Sequence, residues 1–113
     1  MRRSLILLLL AALAAFAALA QGPMPRMTGV EPGNGKAGDV LTIAGENLEK
    51  AVVEQVFLTD GKNDLKVEVT DQSNKAIKFR IPASAKAGRF ALMLLTKGKE
   101  PKLIEQPVKV TVE

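Results

Sequence analysis

From Met27 onward, apolar and polar residues alternate with a period of two, and turn-forming residues interrupt the alternation at short intervals. Half-buried β-strands produce this pattern. Leu41 and Ile43 share one face of Val40–Ala44. Leu65, Val67 and Val69 alternate with Lys66, Glu68 and Thr70. Ile77, Phe79 and Ile81 alternate with Lys78 and Arg80, and Val108, Val110 and Val112 with Lys109 and Thr111. Segments at Met27–Glu31, Val52–Thr59 and Gly88–Thr96 bring the number of expected strands to seven. Pro32-Gly33, Gly45-Glu46-Asn47, Asp60-Gly61, Asp71–Asn74, Pro82 and Lys97-Gly98-Lys99 mark the breaks. No stretch carries a 3.6-residue apolar stripe. The spacing also leaves no room for the crossovers of a parallel sheet.

The expectation is therefore an all-β sandwich of antiparallel sheets over residues 27–113. Its core is expected to contain Leu41, Ile43, Leu48, Val56, Leu58, Val67, Val69, Ile77, Phe79, Ile81, Phe90, Leu92, Leu94, Val108 and Val110. The pattern leaves open whether Leu65–Thr70 pairs with the strand before it or the one after it.

The first 20 residues are of another kind. Arg2 and Arg3 precede an apolar run from Leu5 to Ala20 that ends Ala18-Leu19-Ala20. Basic, apolar, then small-x-small is the layout of a secretory signal peptide, with cleavage expected between Ala20 and Gln21. The alternative is an uncleaved membrane anchor, but the run is short against the roughly 20 residues a spanning helix needs. Gln21–Arg26, with two prolines, is expected to be an extended leader. The expected location is periplasmic or extracellular.

Removing the signal changes the charge. Of 16 basic residues 14 remain, against 12 acidic ones, a balance of +2. The lysines are scattered, so a nucleic-acid groove is not expected. Cysteine is absent. The fold must then rest on its apolar core even in an oxidising compartment.

The residues Gly33-Asn-Gly-Lys-Ala-Gly38 have the G-x-G-x-x-G spacing of a dinucleotide loop. Such a loop needs a helix behind it, whose N-terminal amides bind the phosphates. The chain continues instead with Asp39-Val-Leu-Thr-Ile-Ala-Gly, a strand pattern. These glycines are therefore expected to be turn residues, and no cofactor is expected. Histidine, cysteine, tryptophan and tyrosine are all missing, which removes Cys nucleophiles, His bases and His/Cys zinc sites. Ser84 and Lys86 read as a solvated loop. Asp60, Asn63 and Asp64 read as a hairpin turn, because Lys62 occupies a position where a calcium loop wants an oxygen ligand. No catalytic, cofactor or metal residue is expected, and the chain is not expected to be an enzyme.

Met27–Leu48, MTGVEPGNGKAGDVLTIAGENL, resembles the opening of an IPT/TIG domain, an immunoglobulin-like family. The resemblance rests on Val30, Pro32, Gly35, Gly38, Leu41, Ile43, Gly45, Asn47 and Leu48. Ala76–Leu95 and the closing Val108–Val112 are similar to later family segments, and Ala37 stands where the family usually has a glycine. The resemblance covers about residues 25 to 113. It implies an immunoglobulin-like sandwich of about seven strands, a size that the length of the chain also fits. It does not imply a task, because the family serves as interaction modules, DNA-contacting domains and spacers.

The remaining expectation is a non-catalytic interaction module. If Phe90, Leu92 and Leu94 face the core, Ala91, Met93 and Leu95 face outward as a candidate interaction patch for a protein partner or for self-association. Alternatively a loop at Pro101–Ile104 covers them. Polysaccharide or cell-wall binding is disfavoured, because Phe57, Phe79 and Phe90 are the only aromatic rings after the signal. A passive envelope unit is the third alternative. Contact with membrane is expected only through an uncleaved signal.

Overall fold

The computed structural model describes residues 24–113. The expected signal segment 1–20 and its cleavage point at Ala20 and Gln21 lie outside the described residues. Nine strands follow one another with no helix among the described residues: β1 (Arg26–Glu31), β2 (Asn34–Gly35), β3 (Val40–Glu46), β4 (Val53–Thr59), β5 (Asp64–Lys66), β6 (Glu68–Gln72), β7 (Ala76–Arg80), β8 (Gly88–Thr96) and β9 (Leu103–Val112). They form a four-stranded sheet, β1-β3-β7-β6, and a five-stranded sheet, β2-β9-β8-β4-β5. The two sheets make the expected immunoglobulin-like sandwich.

Nine strands stand where seven are expected because two segments serve both sheets. The first is Leu65–Thr70. Leu65 lies opposite Leu58 of β4, whereas Val69 lies opposite Phe79 of β7. Between them Val67 is buried, and its N–H donates to the Val56 carbonyl at 3.1 Å. The chain crosses from sheet to sheet without losing its alternation, so both pairings left open by the pattern are made.

The second is the glycine-rich segment. Pro32-Gly33 carries the chain out of the four-stranded sheet, and Asn34–Gly35 then runs parallel to Thr111–Val112. The Thr111 and Glu113 N–H groups donate to the Gly33 and Gly35 carbonyls at 3.0 and 2.9 Å. The tight turn expected at Pro32–Gly35 is therefore a short strand. The reversal comes later, where the Asp39 carboxylate accepts the Lys36 N–H at 2.9 Å. Gly38 sits there at φ +92°, a conformation suited to glycine, and its N–H donates to the Ile81 carbonyl at 2.7 Å. Asp39 leads into β3, not into a helix, so no phosphate loop is formed.

Of the expected core residues all are buried except Val69 and Phe90, which are half-buried against it; Met27, Val53 and Val112 join. Two polar side chains brace this apolar interior. Gln106, only 5% exposed, accepts the Met27 N–H at 2.8 Å on its Oε1. This bond crosses from β9 to β1 beside the irregularity at Thr28. Gln72 donates from Nε2 to the Leu48 and Val53 carbonyls at 2.7 and 3.1 Å, holding the connection between β3 and β4. Where β1 crosses β3, a Cβ on Gly45 would overlap the Arg26 carbonyl oxygen and lie 3.0 Å from the Met27 Cα. Only glycine allows so close a backbone approach.

Candidate functional site

The side chains of β8 divide as expected, but their exposure does not. Leu92 and Leu94 point into the core, and Ala91, Met93 and Leu95 alternate onto the outer face of the five-stranded sheet. Ala91 and Met93 are nevertheless only 5% and 9% exposed, and Leu95 is half-buried. The cause is position. β8 is the middle strand, so each of these residues is walled in by a cross-strand neighbour on either side. Ala91 lies between Thr59 and Lys109, Met93 between Phe57 and Glu105, and Leu95 between Gln55 and Leu103. The expected patch of Ala91, Met93 and Leu95 is thus corrected to a wider face. These residues are its floor, and half-buried Phe57 and 55% exposed Leu103 give it exposed apolar surface.

The alternative, a covering loop at Pro101–Ile104, is not formed either. Leu103 and Ile104 belong to β9 and lie beside Leu95 and Leu94, in the plane of the sheet. β9 starts at Leu103, ahead of the strand expected from Val108, and it runs through Pro107. In the structure Pro107 falls where three residues of β9, Gln106–Val108, oppose the single residue Leu92. A proline is tolerated at such a bulge because no ladder hydrogen bond is asked of it. The signal for Leu103 was present in Ile104, Gln106 and Val108, which continue the buried phase on the far side of the proline.

Charge surrounds this apolar strip. Lys66 and Asp64 of β5 stand opposite Phe57 and Thr59 at one border, and Glu105 and Lys109 of β9 stand opposite Met93 and Ala91 at the other. All four are exposed. An apolar centre within a polar rim is the anatomy of a protein interface. The outer face of the four-stranded sheet differs. Its exposed side chains include the ion pairs Arg26–Glu46 and Arg80–Glu68, each at 3.6 Å. An open depression of about 920 Å³ there, lined by Gly29, Thr42, Ala44 and Pro32 among others, brings no group of polar side chains together.

The residues weighed for chemistry are not assembled into a site. Asp60, Asn63 and Asp64 form the β4–β5 turn. The Asp60 carboxylate accepts the Asn63 and Lys62 N–H groups at 2.7 and 2.9 Å. The Asn63 bond, then the Lys62 bond, holds its pKa below the ordinary carboxylate value. Among the described residues no three acidic groups converge where a metal ion would need them. Ser84 and Lys86 are exposed in the loop after β7.

Solved structures share this architecture. A protein of unknown function from Bacteroides thetaiotaomicron superposes with a TM-score of 0.67 at 17% identity, over 81% of this chain and 22% of its own. Two auxiliary nutrient binding proteins are similar. The one from Bacteroides thetaiotaomicron has a TM-score of 0.57 at 20% identity, over 81% of this chain and 21% of its own. The one from Bacteroides ovatus has a TM-score of 0.56 at 16% identity, over 80% and 21%. At such identities the likeness is one of fold, and the chain spans about a fifth of the length of these proteins. None of the curated proteins compared matches it. The family model for the IPT/TIG domain matches residues 25–112, from the start of β1 to the end of β9. With the sheet order, the split first strand and the glycine-rich crossover as described, the chain belongs to the IPT/TIG domain family.

Proposed function

We infer that this domain is an exported, non-catalytic binding module that engages a protein partner through the outer face of its five-stranded sheet. The observation that carries this reading is the apolar strip Phe57–Met93–Leu95–Leu103 within a charged rim, on a domain whose opposite face carries two ion pairs and only Val40 as an isolated exposed large apolar side chain. Family membership and fold neighbours named as binding proteins support a binding role. Export is supported by the Arg2-Arg3, apolar and Ala18-Leu19-Ala20 layout of the first 20 residues.

Crosslinking in the native envelope with this domain as bait tests the reading. Met93→Lys with Leu95→Lys is expected to abolish the specific crosslinks while circular dichroism shows an unchanged fold. Crosslinks that survive both substitutions, in a folded protein, disprove the face as the binding surface.

A second reading is polysaccharide binding. It is favoured by the nutrient-binding names of two fold neighbours. Sugar faces stack on aromatic rings, and the ring that the register places on this face is Phe57. Hits on a glycan array that disappear with Phe57→Ala would favour this reading over a protein partner.

A further inference from the structure

The proposed binding face matches itself in charge. Its outward side chains form cross-strand rows set by the register. One row runs Asp64, Thr59, Ala91, Lys109 across β5, β4, β8 and β9. The next runs Lys66, Phe57, Met93, Glu105, a third runs Gln55, Leu95, Leu103, and beyond Ala91 the exposed pair Arg89–Thr111 ends the face beside the Asp60-Gly61 turn. The charged ends have opposite signs in each four-residue row, and the signs are reversed between the two rows. A partner of uniform charge finds no match in this pattern.

We propose that the occupant of the face is a second copy of this chain, packed face to face about a two-fold axis that runs along the strands between β4 and β8. This rests on the reading of the face as a binding surface. Such an axis exchanges β5 with β9 and β4 with β8. Lys66 then meets Glu105 of the second copy, and Asp64 meets its Lys109. Phe57 meets Met93 in the middle, and Thr59 meets Ala91. By symmetry each of these contacts is made twice, as in any isologous interface. The axis running across the strands through the Phe57–Met93 row sets Lys66 against Lys66 and Glu105 against Glu105. Charge therefore selects the first arrangement over the second. Four strands at a spacing of about 4.8 Å and three rows of side chains offer about 400 Å² per copy. This is below the roughly 800 Å² per partner of a standard stable complex, so the dimer is weak and reversible, with its geometry set by the charged rim.

Sedimentation of the purified protein, as the cell produces it, from about 10 μM to about 1 mM is the test. The expected result is concentration-dependent dimerisation. Lys66→Glu and Glu105→Lys each reverse two contacts and are expected to weaken it about tenfold. In an equimolar mixture of the two variants, each mixed dimer again sets opposite charges against each other at both contacts. The mixture is expected to associate as the unchanged protein does, and so is the double variant. A protein that stays monomeric at the highest concentration overturns the proposal. So do reversals without effect, or a mixture that fails to restore association. The binding reading is judged separately: if the protein is monomeric but Met93→Lys abolishes its crosslinks, the second copy is excluded and the face remains a binding surface for another protein.

Discussion

The two outer faces of the sandwich sit on the same core and are built by the same alternation, yet they differ in what they leave for solvent. On the four-stranded sheet the outward positions are Val40, Thr42, Ala44, Ala76, Lys78 and Arg80, with ion pairs at Arg26–Glu46 and Arg80–Glu68 and with Val40, 43% exposed, isolated opposite Arg80. On the five-stranded sheet the outward positions of β4, β8 and β9 include Phe57, Met93, Leu95 and Leu103. Folding requires one apolar face per sheet. The inner faces meet that requirement in both, so the second apolar face is not needed to close the core. Its apolar surface is therefore available for contact with another molecule.

The comparison can be broken from the structural side or from the binding side, and the expected effects differ in size. The largest is at Gly45. An added methyl would overlap the Arg26 carbonyl, so Gly45→Ala is expected to separate β1 from β3 and to cost about 3 kcal/mol or more in urea unfolding. That loss is centred on the four-stranded sheet and on the Met27–Gln106 bond at the inner side of β9, away from the outer face, so the residual folded protein should keep its partner crosslinks. Next is Gln106→Ala, which leaves the Met27 N–H buried without its acceptor. The expected cost is about 1–3 kcal/mol, measured by the same unfolding curves.

A matched pair of substitutions tests the two faces directly. Met93→Lys and Thr42→Lys both place a lysine on an outer face of a central strand. The first loses apolar contact with its row neighbours, although its ammonium can reach water, and should cost about 1 kcal/mol together with all specific crosslinking. The second should lie within about 0.5 kcal/mol of the parent and leave crosslinking intact. Equal effects of the pair on binding would erase the distinction between the faces.

The smallest effect is that of pH on the β4–β5 turn. The Asp60 pKa is lowered in the folded state by the Asn63 and Lys62 N–H groups. A lowered folded pKa means stability that is present above the ordinary aspartate value and lost as pH falls through the folded one. Acid titration below about pH 4 should therefore weaken this exposed turn slightly, and Asp60→Asn should remove that dependence. Thermal melts of the two proteins across that range check it.

Much of this was legible in the chain. Alternation at Leu41/Ile43, Ile77/Phe79/Ile81 and Val108/Val110/Val112 specified strands and their buried sides, because a strand's side-chain period is a local property of the backbone. The motif around Gly45-Glu46-Asn47-Leu48 identified the family for a related reason. There Gly45 yields to the Arg26 backbone, and Asn47 adopts φ 56° while donating to the Met24 carbonyl at 3.0 Å. Those demands restrict residue type at a point, so they are visible at a point. Other features were not visible. Leu65–Thr70 has one uninterrupted pattern but two partners, since alternation reports which side is buried and not which strand lies alongside.

By itself, then, the sequence determined an all-β sandwich, most of its core and its family, all through periodicity and through local limits on glycine, proline and asparagine. Tertiary structure alone decided that Gly33–Gly38 carries a strand parallel to β9, that Gln106 spans the sheets, and that Ala91 and Met93 are the sheltered floor of a face whose exposed apolar surface comes from Phe57 and Leu103. The physical reason is that exposure and charge matching on a sheet depend on neighbours about 4.8 Å away across the strands, whose positions in the chain are set by register and by bulges such as the one at Pro107.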